Sequence, residues 1–436
     1  PTNQTQQTPP SAPNQPVSKQ SPPTQQQTAS KKRTGLTEGQ KEALSKMMEF
    51  YKQPQTDKDN NEFLLEGYAG TGKTFVIQQF LKEVRKSGEN PRIAFTAPTN
   101  NAVKVLRQMA DKQGMSGFDA KTTHKLLGLK RTVDKMSGEV NFTRNKNNFD
   151  RPELDYDYIV VDEASMLNKS LYEHCKEASQ AGVKVIYMGD PAQLPPVNES
   201  ESMVFSQVAN RSELTEVVRY DGDMARIAED IRNNLDSKNP TPIQNSQDET
   251  VVALSKEGFK DKVKELFTSN DFKADNSSVK VIAYTNNRVD EVNKFVKDTL
   301  YGENTPEYLP GMRIIARDPV KGIHGKNVLD TAEEMTITKA DKSKAGNLYI
   351  WKLQGINENG DRLNFETLDS ESKPEFKREL DKLRTEIYSQ PVTERDWSQY
   401  YDLAEQFGNV RPAYAITAHN SQGKTIPQGI VDQNNL

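Results

Sequence analysis

Gly67-Tyr68-Ala69-Gly70-Thr71-Gly72-Lys73-Thr74 is the stretch of this chain best equipped for chemistry. It fits G-x-x-x-x-G-K-[ST], in which glycines let successive backbone N–H groups converge on phosphate oxygens at a helix N-terminus. Gly67, Ala69, Gly70, Thr71, Gly72 and Lys73 would wrap the phosphates of a nucleoside triphosphate. Lys73 would reach the β- and γ-phosphates, and the Thr74 hydroxyl would ligate Mg²⁺. A second polar pair closes an apolar run, Tyr158-Ile159-Val160-Val161-Asp162-Glu163. Asp162 would hold Mg²⁺, directly or through water, and Glu163 would polarise the attacking water as general base. Taken singly, these motifs could be a Gly-rich turn and a solvated acidic strand end. Together they favour Mg-NTP hydrolysis. Gln422-Gly423-Lys424-Thr425 imitates a second phosphate loop, but its first glycine would fall at Ala418.

The surrounding pattern supplies the strands and helices that must position these groups. Residues 63–66 lead into the Gly-rich turn, and 74–86 then carry apolar side chains at helical spacing. Residues 92–96, 157–161 and 183–188 read as buried strands bounded by turn signals. Such alternation implies an α/β chain with a parallel sheet flanked by helices. The segment 129–144 reads as a β-hairpin turning at Met136-Ser137-Gly138. A further βα unit lies at 279–300, and 308–368 switches to alternating strands with Gly turns, as a small β-barrel would. Charged helical stretches at 373–389 and 393–407 precede a last strand at 413–417.

Composition bounds the function classes. The chain has 436 residues, one cysteine and a net charge of −4. Cys175 excludes an internal disulfide framework and a thiolate zinc site, suits a reducing compartment, and reads as a small buried hydrophobe. No apolar run approaches the roughly 20 residues that span a bilayer, and the N-terminus has no signal-peptide core, so neither membrane nor secretion is expected. Pro, Gln, Thr, Ser and Asn fill 26 of residues 1–33, which reads as a disordered tail serving as a solvated linker. That tail carries Lys19, Lys31, Lys32 and Arg33 and no acid, leaving −8 on the body. The first residue is Pro, as in a fragment or processed product.

Further motifs occur in one order along the chain, and the set resembles the RecD-like branch of superfamily 1 DNA helicases over about residues 34–425. Leu36-Thr37-Glu38-Gly39-Gln40 resembles the adenine-reading Q motif. Ala97-Pro98-Thr99-Asn100-Asn101-Ala102 resembles motif Ia, Thr122-Thr123-His124 motif Ib, and Asp162-Glu163-Ala164-Ser165-Met166 motif II. Gly189-Asp190-Pro191-Ala192-Gln193-Leu194-Pro195-Pro196 is similar to motif III, Leu214-Thr215-Glu216-Val217-Val218-Arg219 to motif IV, and Ala283-Tyr284-Thr285-Asn286 to motif IVa. Ala415 to Gly423 is similar to motif V.

The resemblance implies ATP and Mg²⁺ as cofactors, with Gln40 on the base, Gln193 sensing the γ-phosphate and Arg219 as arginine finger. It implies single-stranded DNA and DNA forks as partners, met by Pro98, Thr99, Asn100, Thr123, His124, Asn286, Thr417 and His419. Neutral side chains of this kind suit phosphate and sugar contacts that fix position without reading sequence. A channel of Thr, Asn and His also reconciles the acidic body with a nucleic-acid partner, and implies a shallow salt dependence. The implied activity is an ATP hydrolase and 5′→3′ translocase that unwinds duplex DNA. A nucleic-acid-binding remodeller without unwinding, or an RNA helicase, remains the alternative.

The implied architecture is two RecA-like P-loop domains, at 34–240 and at 241–305 with 408–436. Into these are set a strand-separating pin at 129–144 and an SH3-like β-barrel and helical insert at 306–407. A monomer in the cytoplasm of a bacterial cell or phage-infected host is expected, with a single-strand-binding or replication protein as further partner. Motif VI has no equivalent before Leu436. The expectation is an incomplete second motor domain and weak DNA-stimulated ATPase, since one lost electrostatic donor costs about 10²–10³ in rate.

Overall fold

The computed structural model describes residues 35–55, 60–112, 118–144, 151–196, 198–218, 226–227, 229–231, 234, 245–246 and 251–432. The expected tail at 1–33 and the candidate arginine finger Arg219 lie outside the described residues. Residues 1–36 and 37–436 form separate units, and all that follows concerns the second.

Its first half is a six-stranded, wholly parallel sheet. The strands are β1 (Glu62–Gly67), β2 (Ile93–Ala97), β3 (Asp119–Thr122), β6 (Tyr158–Val161), β7 (Lys184–Gly189) and β8 (Arg211–Leu214). They lie in the order β3-β2-β6-β7-β1-β8. Strand side chains alternate between faces, and a parallel sheet must cover both. Phe63, Leu65, Phe95, Val160, Ile186 and Met188 enter one core with helices α1 (Glu38–Lys52), α2 (Lys73–Lys86) and α3 (Asn100–Lys112). Leu64, Ala94, Ile159, Val161, Val185 and Tyr187 enter the other, with α4 (Thr123–Leu126) and α5 (Lys169–Gln180). Cys175 is buried in this second core. Between β3 and β6 the chain makes the expected antiparallel hairpin, β4 (Lys130–Val133) with β5 (Val140–Thr143).

One strand residue does double duty. Lys184 is 0% exposed, and its ammonium donates to the carbonyls of Phe50 (2.5 Å), Tyr51 (2.8 Å) and Gln53 (2.6 Å). These oxygens end helix α1, where carbonyls have no partner within the helix and the dipole favours a cation.

The second half holds a three-stranded parallel sheet with β9 (Val279–Ala283) between β17 (Ala415–Thr417) and β18 (Gln428–Val431). Helices α7 (Lys256–Thr268) and α9 (Asn286–Tyr301) supply Val263, Phe267, Val289, Val292 and Val296 to its core. Between β9 and β17 lies a five-stranded antiparallel sheet in the order β15-β14-β13-β10-β16. Its strands are β10 (Arg313–Ala316), β13 (Glu334–Ala345), β14 (Leu348–Asn357), β15 (Arg362–Leu368) and β16 (Val410–Pro412). Because β16 still pairs with β10, the chain re-enters the parallel sheet only at Ala415. Helix α10 (Lys373–Ser389) docks on the end of this sheet through Phe376, beside Ile350, Leu368 and Phe407. Helix α11 (Ser398–Ala404) follows. None of the described helices is long and apolar enough to cross a membrane.

Candidate nucleotide site and strand-contact surface

The phosphate loop sits at the C-terminal end of β1, where ligands of open parallel sheets gather. Gly72 adopts φ +87°, a left-handed conformation that glycine reaches without strain, and opens α2 with no side-chain cap. The first helical N–H groups therefore stay available to an anion. The Lys73 ammonium donates to the carbonyls of Gly67 (2.5 Å) and Tyr68 (3.2 Å), folded back along its own loop. Burial pulls its pKa down, opposed by the charges of Asp190, Asp162 and Glu163. Thr74, the expected metal ligand, is partly exposed in the first turn of α2.

Asp162 and Glu163 follow β6 as expected. The Glu163 N–H donates to Asp162 Oδ1 at 2.9 Å. Burial raises the pKa of both carboxyls, Glu163 to about 7, where the neighbouring Asp162 charge adds to the effect. Glu163 also holds φ +52°, ψ 44°, a backbone state costing about 1–3 kcal/mol and concentrated at active sites. Three carboxylates thus surround a single ammonium. Burial disfavours the ionised forms of Asp162 and Glu163 until a counter-charge meets them, and the site fits a divalent cation, which Thr74 and Asp162 would hold. Among the described residues no cluster of three or more His, Cys, Asp or Glu could hold a metal by protein ligands alone. A nucleotide-borne Mg²⁺ is the arrangement this chemistry suits.

Asp190 received no role from its sequence motif, yet it is the clamp of the site. Its Oδ2 accepts from Ala69 N–H at 2.7 Å, and its Oδ1 accepts from Ala192 N–H at 2.9 Å. The loop after β7 is thereby fastened to the phosphate loop. Gln193 lies on that loop with its Oε1 buried and without a partner. Across the cleft, a Cβ on Gly423 would lie 4.0 Å from Glu163 Oε1, and Gln422 carries another buried, unpartnered Oε1. Loops from both parallel sheets therefore meet at the carboxylates. Gln40, expected at the base, is 3% exposed and engaged inside the chain. Its Oε1 accepts from Thr37 N–H at 3.1 Å and its Nε2 donates to Thr71 O at 2.9 Å.

The expected strand-contact residues divide into two kinds. Pro98, Thr99, Asn100 and His419 are at least partly exposed along the loop ends. Thr99 Oγ1 accepts from Ala102 N–H at 3.3 Å, capping α3. Thr123 is 0% exposed and its hydroxyl accepts from Thr96 Oγ1 at 3.2 Å, so it is packed inside the chain and not open to a strand. The next residue, His124, packs against Phe142 of the hairpin with centroids 4.5 Å apart and the rings tilted by 56°. Asn286 is exposed and accepts from Arg411 at 3.0 Å, while Thr417 is 8% exposed and caps the short turn Ala418–Ser421.

The hairpin tip is captured by the helical segment 388–401, a relationship with no sequence signal beyond its aromatic content. Tyr388 donates to Ser137 O at 2.6 Å, Arg395 to Met136 O at 2.9 Å, Trp397 Nε1 to Lys135 O at 3.2 Å, and Tyr401 to Gly138 O. Arg131 adds a 2.7 Å ion pair to Glu405 and lies 4.4 Å from the centre of the Tyr401 ring. Trp397 is 5% exposed and Trp351 is 6% exposed with its Nε1 on Asp369, so both indoles pack. Met136, at 69% exposure, remains the open edge of the tip.

Comparison with known proteins agrees with this geometry. A protein family described as AAA domain matches residues 35–254. The ATP-dependent DNA helicase dda of Enterobacteria phage T4 is 25% identical over 435 residues, covering 91% of this chain and 92% of that one. The uncharacterized protein R530 of Acanthamoeba polyphaga mimivirus is 32% identical over 202 residues, 43% of this chain and 40% of that protein. The RecBCD enzyme subunit RecD of Mycobacterium tuberculosis is 34% identical over 149 residues, 31% of this chain and 24% of the subunit. The chain thus spans less than half of the mimivirus and mycobacterial proteins.

Proposed function

This chain belongs to the AAA-domain family and is a RecD-like superfamily 1 helicase, and from that premise we propose that it is an ATP-driven motor on single-stranded DNA. One observation carries the reading. Lys73 lies among the charges of Asp162, Glu163 and Asp190 at the ends of the first sheet's strands, with Gly423 of the second sheet facing Glu163. The phosphates of ATP lie against the loop Gly67–Thr74, and Thr74 and Asp162 hold Mg²⁺, which supplies charge neutralisation on the phosphate oxygens. Glu163 takes the proton of the attacking water. Gln193 meets the γ-phosphate through its amide Nε2–H, the unpartnered amide oxygens of Gln193 and Gln422 are left to accept from water, and Arg219 is the arginine finger.

Hydrolysis changes the fit between the two parallel sheets. Pro98, Thr99, Asn100 and His124 on one, with Asn286, Thr417 and His419 on the other, then step along the strand backbone. The captured hairpin stands in the path of the duplex with Met136 and Phe142 exposed, and parts it. The motor works as a monomer, moves 5′→3′, acts on forks in the cytoplasm, and has a single-strand-binding or replication protein as its companion.

Unwinding of partial duplexes bearing a 5′ or a 3′ tail, in DNA and RNA versions, tests this. ATP-dependent strand release from the 5′-tailed DNA, abolished by Lys73→Ala, is expected. Release that survives Lys73→Ala would overturn the site. ATP-dependent binding without release would make the chain a remodeller, and release of RNA alone would make it an RNA helicase.

A further inference from the structure

Asn286 opens α9, and the side chain that fixes how its amide faces lies in a different sheet. Arg411 stands on β16, paired with Ile315 of β10 in the antiparallel sheet, and is 6% exposed. Its Nη1 donates to Asn286 Oδ1 at 3.0 Å and to Asp290 Oδ1 at 3.2 Å. Residues 286 and 290 are about one turn apart on the same face of α9, so a single guanidinium nitrogen spans both. Asp290 also lies 4.0 Å from the exposed Arg317. The Arg411 Nε is buried and has no hydrogen-bond partner among the described residues.

A guanidinium only donates. The Asn286 atom that faces it is therefore the carboxamide oxygen, and the amide nitrogen with its two donors is turned away, on a residue that is exposed. A phosphodiester oxygen only accepts, so this is the sense in which an Asn can serve a strand backbone. Nothing within Asn imposes that sense. Its last torsion is broad and nearly two-fold, and a half-turn would present the oxygen to the phosphate instead. Asp290 supplies the counter-charge that Arg411 needs, which leaves a further donor of Nη1 for the neutral amide. Tyr284, 50% exposed and two residues before Asn286, leans towards His419 with ring centroids 6.3 Å apart. The aimed amide thus belongs to the rim that carries the second sheet's other strand-contact candidates.

We propose that Arg411 is a positioning residue for the bound strand: it holds the Asn286 carboxamide with its donors towards a backbone phosphodiester, and does not touch the phosphate itself. This rests on the reading of Asn286 as a strand contact given above. Because Arg411 belongs to the antiparallel insert, the insert sets the grip of the second parallel sheet on the strand.

Fluorescence anisotropy of labelled oligothymidylate on the full chain, over a salt series, reads both affinity and its salt slope. Asn286→Ala is expected to weaken binding about tenfold. Arg411→Met keeps the apolar stem and removes the donors, and is expected to weaken it about three- to fivefold as the competent fraction of the amide falls. In the Asn286→Ala background, Arg411→Met should cost nothing more, and the salt slope should match that of the unaltered chain throughout. Asn286→Asp tests the same geometry at an exposed position, where folding is not at risk. It keeps an acceptor for Arg411 but puts a carboxylate oxygen where the donors were, and should bind several-fold more weakly than Asn286→Ala. A slope shallower by about 0.7 in Arg411→Met would mean a direct phosphate contact, and an undiminished loss in the Asn286→Ala background would mean an effect of charge or folding alone. Either result overturns the proposal, as does equal affinity of the Asp and Ala variants. In each of these cases a weakened Asn286→Ala leaves the strand-contact reading standing. Asn286→Ala binding as the unaltered chain does would remove that reading for Asn286, and the proposal with it.

Discussion

Gln40 holds the phosphate loop from outside it: its Nε2 donates to the carbonyl of Thr71 at 2.9 Å, one residue before the left-handed turn at Gly72. The same side-chain amide closes the capping box that starts α1, its Oε1 accepting from Thr37 N–H at 3.1 Å while the backbone N–H of Gln40 donates to Thr37 Oγ1 at 3.3 Å. A single side chain therefore couples the start of the first helix to the geometry of the loop.

Gln40→Ala should cost about 1–2 kcal/mol of stability, the usual price of a lost cap with a buried acceptor left unpaired. It should raise KM for ATP more than it lowers kcat, since the loop loses its support and not its reacting groups. Denaturant titration and steady-state ATPase measurements read both. An unchanged KM would return Gln40 to a purely structural role.

Gly138 is the point at which the hairpin can be released. It adopts φ +73°, and a Cβ there would enter the indole ring of Trp397. Gly138→Ala should undock the tip and reduce unwinding of forked DNA at least tenfold, with DNA-stimulated ATPase nearly unchanged. Trp397→Phe, which keeps bulk and removes the bond to Lys135 O, should lie between. Equal loss of ATPase and unwinding would refute a separate strand-parting role for the hairpin.

His124 gives the hairpin base a dependence on pH. Burial lowers its pKa from 6.5, with the His174 charge adding to the effect, and Phe142 covers its ring. The unfolded chain therefore takes up the proton first as pH falls below about 6.5, so stability is lost in that direction. The drop in Tm between pH 7 and 5.5 should be smaller in His124→Gln than in the unaltered chain. Parallel curves would show that other groups control the acid limb.

Lys184→Met tests the cation at the end of α1. Removing three donors from buried carbonyls should cost about 3 kcal/mol, while Lys184→Arg should recover only part, since a planar fork cannot reach three converging oxygens as an ammonium does. Thermal or denaturant unfolding measures both variants. A loss below about 1 kcal/mol would mean that the carbonyls find other partners.

The alternation of buried strands with amphipathic helices was legible in the sequence because side-chain period is local: Leu64 and Leu65 face opposite cores as strand geometry requires. The loop Gly67–Thr74 and the pair Asp162-Glu163 were legible for the same reason, since backbone conformation and neighbouring residues make most of their chemistry. Less could be read where an assignment depended on exposure. Thr123 has the residue type of a strand contact, yet packing places its hydroxyl against Thr96. Gln40 likewise has both ends of its amide filled from within the chain.

The sequence by itself determined the parallel α/β architecture, the phosphate loop and its two carboxylates, and the hairpin at 129–144. Tertiary structure alone decided that Asp190 clamps the loop 121 residues before it, that the hairpin tip is held by side chains some 250–260 residues away, and that buried Glu334 gathers Lys280, Arg313 and Lys424. The difference lies in range. Periodicity and glycine geometry act over a few residues and are written into any short window. The meeting of Trp397 with Gly138, or of Glu334 with Lys280 and Lys424, follows from how separate sheets pack, and no window of sequence contains it.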